Sequence, residues 1–232
     1  MNTQTQTPKP MSFAILRNTH EVFRSSVSLM SGMLEKGALD EFRQEWRNYQ
    51  RCRKTHLAME DNAAFPLLDE VGGGAISEAG LAQEHSADLA NAERVDNAST
   101  PEDAKQAFET WKKFQLDHLA HEEQVMSPLT MKTAATPEGR GRVVHETLVL
   151  PALEHGDFEW YLAFVIERLT TYGTANQPPG VAVRVFAWGL QYASTPGEWT
   201  RWKKIIHDNT SKQIWEEMVM QFQIDGEGKI KD

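Results

Sequence analysis

Four successive segments of this chain carry the same kind of stripe. In the first, Phe13, Leu16, His20, Phe23, Val27, Met30 and Leu34 follow alternating steps of three and four. That period puts them on one face of an α-helix. The second stripe is Phe42, Trp46, Tyr49, Arg53, His56, Glu60, Ala63 and Leu67. The third is Leu81, His85, then Asp88 or Leu89, then Ala92 and Val95. The fourth is Ala104, Phe108, Trp111, Gln115, His118, Glu122, Val125 and Leu129. Strand-like alternation is absent, so the chain reads as all-α. Gly37, Gly72-Gly73-Gly74 and Ser99-Thr100-Pro101 punctuate it. Helices are predicted over about 12–36, 38–71, 77–97 and 102–131, the last with Thr100 as N-cap and Pro101 at its first position. Short connections make neighbours antiparallel, which predicts an up-down-up-down four-helix bundle.

A histidine interrupts every apolar stripe, and in two of them a glutamate follows four residues later, in HLAMEDNAAFPLL (56–68) and HLAHEEQVMSPL (118–129). Positions i and i+4 lie one above the other on one helix face. His20 lies 17 residues before Gly37 and His56 lies 19 after it. Glu60 lies 13 before Gly73 and His85 lies 12 after it. At the helical rise these mismatches are roughly 2–3 Å, so the first three helices bring their polar core residues to one level. The fourth is offset by roughly 7 Å, which helix tilt or loop length would absorb. Four imidazoles and two carboxylates buried at one level are costly unless paired or bound to metal. Together they suit iron, manganese or zinc, and paired glutamates that can bridge two ions suggest a two-metal site.

Competing chemistries lack their spacing. A ferritin-like oxidase needs Glu-x-x-His on paired helices, and no histidine here has a glutamate three residues before it. No His-Glu-x-x-His occurs, as a zinc protease would require. A lone core histidine is more often bonded to a backbone carbonyl than to a metal, so the inference rests on the six-residue set. His121 lies to one side of His118 and suits a rim or supporting role better than direct ligation. Arg53 and Tyr49 lie one and two turns from His56, as supporting groups or, for Arg53, snorkelling out of the bundle.

At these residues the chain resembles the hemerythrin-like (HHE cation-binding) family, over residues of about 12 to 131. The resemblance rests on His20, HLAMEDNAAFPLL, EHSADL with His85, and HLAHEEQVMSPL. It implies two non-haem iron ions with a bridging oxide or hydroxide. His20, His56, His85 and His118 would be terminal ligands, and Glu60 and Glu122 would bridge. Oxygen-carrying hemerythrins have a second histidine one turn after that on the third helix; here that position is Leu89. Protein and bridge then supply about ten of the roughly twelve bonds two octahedral irons need, leaving about two positions open. His121, Asp88 or water could fill one.

The remaining sequence bounds the context. A net charge of -9 argues against nucleic acid, no apolar run is long enough for a membrane span, and the single cysteine, Cys52, fits a reducing, cytoplasmic setting. Residues 1–11 read as a disordered tail and 12–131 as the bundle. Residues 132–232 read as a C-terminal helical extension of three amphipathic helices, in GDFEWYLAFVIERL, VAVRVFAWGLQYA and EWTRWKKIIHDNTSKQIWEEMVMQF. It would pack on the bundle or on a partner, a second copy included. His145, His155 and His207 read as surface or capping residues. Three functions suit these features: a protein binding O2 or a related small molecule as carrier, sensor or iron handler; a di-iron enzyme removing peroxide or NO; and an iron-responsive interaction protein.

Overall fold

A computed structural model describes residues 15–222. The predicted tail at 1–11 and Phe13 of the first stripe lie outside the described residues. Within them the chain is helical, with one isolated bridge between Thr174 and Gln177 and no strand.

Helix α1 (Ile15–Glu35) turns at Gly37, φ 71°, into α2 (Leu39–Met59). The second rod is continuous but not uniform. A π-helical turn, Glu60–Ala64, joins α2 to α3 (Phe65–Gly72), and the Phe65 N–H donates to the Glu60 carbonyl five residues back. Pro66 follows at once; its ring and missing N–H disfavour plain α register there. The third rod starts at Leu81, the first position of its stripe, rather than at about 77. Left-handed Gly73, Gly74 and Gly80 isolate a short α4 (Ala75–Ala79), and α5 (Leu81–Asp96) begins after the last of them. The Asp69 carboxylate accepts from the Ile76 and Ser77 N–H groups at 2.8 and 3.0 Å and pins this corner. Helix α6 (Pro101–Thr133) begins as its cap predicts, with Thr100 Oγ1 accepting from the Asp103 N–H at 3.1 Å. It runs on past Pro128.

The extension holds more helix than its punctuation implies. Residues around 133–157, full of glycine and proline, fold as α7 (Pro137–Val144), a second π-helical turn (His145–Val149) and α8 (Leu150–His155). Then come α9 (Phe158–Tyr172) and α10 (Pro179–Ala193). The last predicted helix breaks into α11 (Pro196–Asp208) and α12 (Lys212–Phe222). Helix α9 packs on α1 and α2, and α10 on α1 and α9. One hydrophobic core runs through both parts: Phe23, Met30 and Tyr49 of the bundle share it with Tyr161, Val165, Leu169 and Phe186. A buried ion pair crosses the same boundary, Arg168 Nη2 donating to both Glu45 oxygens at 2.7 and 2.6 Å. No described helix is long and apolar enough to cross a membrane.

Candidate metal centre

The histidine and glutamate positions of the four stripes meet inside the bundle. His20, His56, Glu60, His85, His118 and Glu122 are all buried. The imidazoles form two edge-on pairs, His20 with His56 at 5.4 Å between centroids and His85 with His118 at 5.0 Å. The two carboxylates lie between the pairs. Glu60 Oε1 faces His56 Nε2 at 3.1 Å and His20 Nε2 at 3.9 Å, while its Oε2 faces His85 Nε2 at 3.7 Å. Glu122 Oε1 is 3.1 Å from His85 Nε2, and its Oε2 is 3.4 Å from His118 Nε2 and 3.6 Å from His20 Nε2. Two donor groups result, His20-His56-Glu60-Glu122 and His85-His118-Glu122, in each of which the donor atoms lie within 4.8 Å of one another.

These residues fit a bound cation. His20 Nε2, His56 Nε2, both Glu60 oxygens and Glu122 Oε2 are buried and lack a hydrogen-bond partner among the described residues. An unsatisfied buried polar atom costs about 1–3 kcal/mol, so this concentration is intelligible only around a positive charge. Without metal, protons supply part of it. Burial is the largest influence on His20 and lowers its pKa, but Glu123, Glu60 and Glu122 outweigh it and raise it from 6.5 to about 9. Burial also opposes protonation of His85, where Asp61, Glu122 and Glu60 prevail and raise the pKa to about 10. Burial would raise Glu60, yet His56, His20 and His85 hold it well below the usual carboxylate range. Protonated His20 and His85 thus supply positive charge beside the two glutamates.

A second ring of carboxylates holds the imidazoles from behind. Glu123 Oε1 is 3.1 Å from His20 Nδ1, Asp61 Oδ1 is 2.8 Å from His85 Nδ1, and Glu84 Oε2 is 2.7 Å from His118 Nδ1. Such partners keep Nδ1 protonated and aim Nε2 inward. All three lie off the stripes, so helical periodicity does not select them. The readable signal was the doublet Glu60-Asp61, repeated as Glu122-Glu123, with Glu84 next to His85. His56 is the exception: its buried Nδ1 has no partner among the described residues.

The secondary candidates fall elsewhere. His121 is a rim residue whose Nδ1 meets Glu84 Oε1 at 2.8 Å. Asp88 is fully buried but lies against Arg53, which also donates to Gln50 Oε1, and a donating Gln115 amide reaches Asp88 at 3.1 Å. It is therefore engaged by Arg53 and Gln115 rather than grouped with the metal-donor atoms, and Arg53 does not snorkel into solvent. Tyr49 lies buried beside Phe23 and Trp111. Leu89, expected to face the site, does not. It is 41% exposed, and the inward position after His85 is Asp88. His155 and His207 are exposed, while His145 is half-buried with Nε2 3.6 Å from Glu198 Oε1.

Comparison with curated proteins found no match, and neither did comparison with solved structures. Comparison with family profiles did: the hemerythrin HHE cation binding domain matches residues 11–143 of the 232. Because that match spans more than half of the chain and contains every residue of the cluster, the chain belongs to the hemerythrin HHE cation-binding family.

Proposed function

We propose that this chain is a non-haem iron protein holding two iron ions, and that it binds O2 or a related small molecule there. The carrying observation is that Glu60 and Glu122 each face imidazoles of both pairs, as residues bridging two ions must. His20 and His56 would hold one ion and His85 and His118 the other, with an oxide or hydroxide completing the bridge. When bound, the pair supplies a Lewis-acidic, redox-active centre. The chain itself does the rest. Glu123, Asp61 and Glu84 hold three imidazoles at Nδ1, which would leave each Nε2 free to ligate. Four imidazoles and two bridging glutamates would give about eight protein bonds, leaving about two positions open beyond the bridge. Buried Cys52 fits a reducing cytoplasm.

The test is optical. Ferrous iron is loaded without air, oxygen is admitted, the spectrum is followed, and oxygen is then removed. We expect two irons per chain and a charge-transfer band that disappears with the oxygen. A band that decays irreversibly to the ferric form would transfer the assignment to peroxide or NO chemistry. No band at full iron would leave iron handling. Full iron content in Glu122→Ala would overturn the site itself.

A further inference from the structure

A cavity of about 50 Å³ adjoins one side of the cluster, against His56 and Glu60. The bundle lines it with Leu68, Met126 and Thr19, and the extension adds a wall of Val144, Leu148 and Tyr161. A single water needs roughly 10–15 Å³ on the same measure, so the space is large enough for a diatomic molecule or a peroxide. No lysine or arginine lines it, which disfavours an anionic ligand. The imidazole on this side, His56, is the one whose Nδ1 no carboxylate holds.

Tyr161 brings a donor to this otherwise mostly apolar wall. It lies in α9 and is fully buried. Its hydroxyl donates to Thr19 Oγ1 at 3.5 Å, the long limit of a hydrogen bond. Burial, with Cys52 and Glu60 adding to it, pushes the phenol well above its ordinary value, so it stays an O–H. A ligand with an accepting end could draw that weakly engaged proton away from Thr19.

Building on the di-iron reading, we propose that Tyr161 is a positioning residue: its O–H donates a hydrogen bond to the oxygen or nitrogen end of a diatomic or peroxide ligand seated between Glu60 and Leu148. The extension thereby supplies both one wall of the ligand pocket and its donor. No bond is made or broken in this step; the phenol keeps its proton.

Nitric oxide added to ferrous-loaded protein is the probe. Tyr161→Phe keeps the ring and removes the donor. Losing one hydrogen bond of about 1–1.5 kcal/mol predicts NO dissociation roughly 5–10-fold faster at unchanged iron content. The N–O stretch of the wild-type adduct should shift in D2O, and that shift should vanish in Tyr161→Phe. Unchanged dissociation and unchanged isotope sensitivity, with two irons bound and an adduct formed, would overturn the role of Tyr161 alone. A wild-type protein without paired iron or without an adduct would bring down the di-iron reading and this proposal together. Xenon tests the cavity in metal-free protein. One xenon site is expected, lost in Val144→Phe, and no uptake by the wild type would remove the pocket and the proposal with it.

Discussion

Asp61 is 42% exposed, yet its carboxylate holds the Nδ1 of a buried histidine on another helix. Partners of this kind typically contribute 10–100-fold to metal affinity. Asp61→Asn should therefore weaken iron binding about that much while leaving helix content unchanged, measured by competition with a graded chelator; equal affinity would mean that Asp61 is only a surface charge. Leu89→His is the complementary test. Since Leu89 points outward, the substitution should leave iron stoichiometry and the visible spectrum as they are, and a new ligand signature would show that α5 can rotate. The contrast marks what was legible at this scale. The helical period alone separates Glu60 from Asp61, because a stripe fixes which face a residue is on. It does not separate Asp88 from Leu89, where steps of three and four are both allowed; the buried guanidinium of Arg53 makes the choice, and that contact joins residues 35 apart. The pairing of Asp61 with His85 was equally hidden, since it depends on the relative rotation of two helices.

The unforeseen feature at the scale of elements is the pair of π-helical turns. Glu60 starts the first and Pro66 lies six residues on; His145 starts the second and Pro151 lies six residues on. The two turns pack against each other beside the candidate metal centre. Apolar periodicity predicts helix through the first stretch and is blind to one extra residue in a turn, so that rod was legible and its local register was not; the second lies in a stretch where no helix is predicted. Proline was the available signal. A π turn is an α-helix with one residue inserted, and deleting that residue rotates the downstream helix by about 100° relative to the upstream one. Phe65 and Leu68 are fixed in a small core with Leu81 and Met126, so the mismatch would fall on Glu60. Deletion of Ala63 should therefore reduce iron below two per chain with little loss of helical circular dichroism. Full iron loading would show that the turn accommodates Pro66 and has no part in aiming Glu60.

The whole molecule responds to pH through the same cluster. Without metal, His20 and His85 titrate near 9 and 10 when folded, against 6.5 unfolded. A raised imidazole pKa contributes stability that is fully present below about 6.5 and is lost as pH climbs through 9 and 10. The carboxylates act at the other end. Burial would raise Glu123, but His20 and Arg24 lower it to about 2, and Glu60 is likewise held low. Their contribution is present above the ordinary value of 4.5 and is lost as pH falls toward 2. Metal-free protein should thus have its highest Tm at roughly pH 5–6.5, with a decline on the alkaline side that ordinary surface groups would not produce. Iron takes over the charge that His20 and His85 supply as imidazolium. Loading at pH 7 should release about two protons per chain from His20 and His85, with about one or two more from the water that would become the bridging hydroxide or oxide, and should abolish the alkaline decline. Calorimetry of loading in buffers of different ionisation enthalpy counts the protons, and thermal melts of both forms from pH 5 to 10 read the slope. Parallel melting curves for the two forms, with no proton release beyond that of the bridging water, would mean that the imidazoles are neutral in the empty protein and that the two glutamates share their charge in some other way.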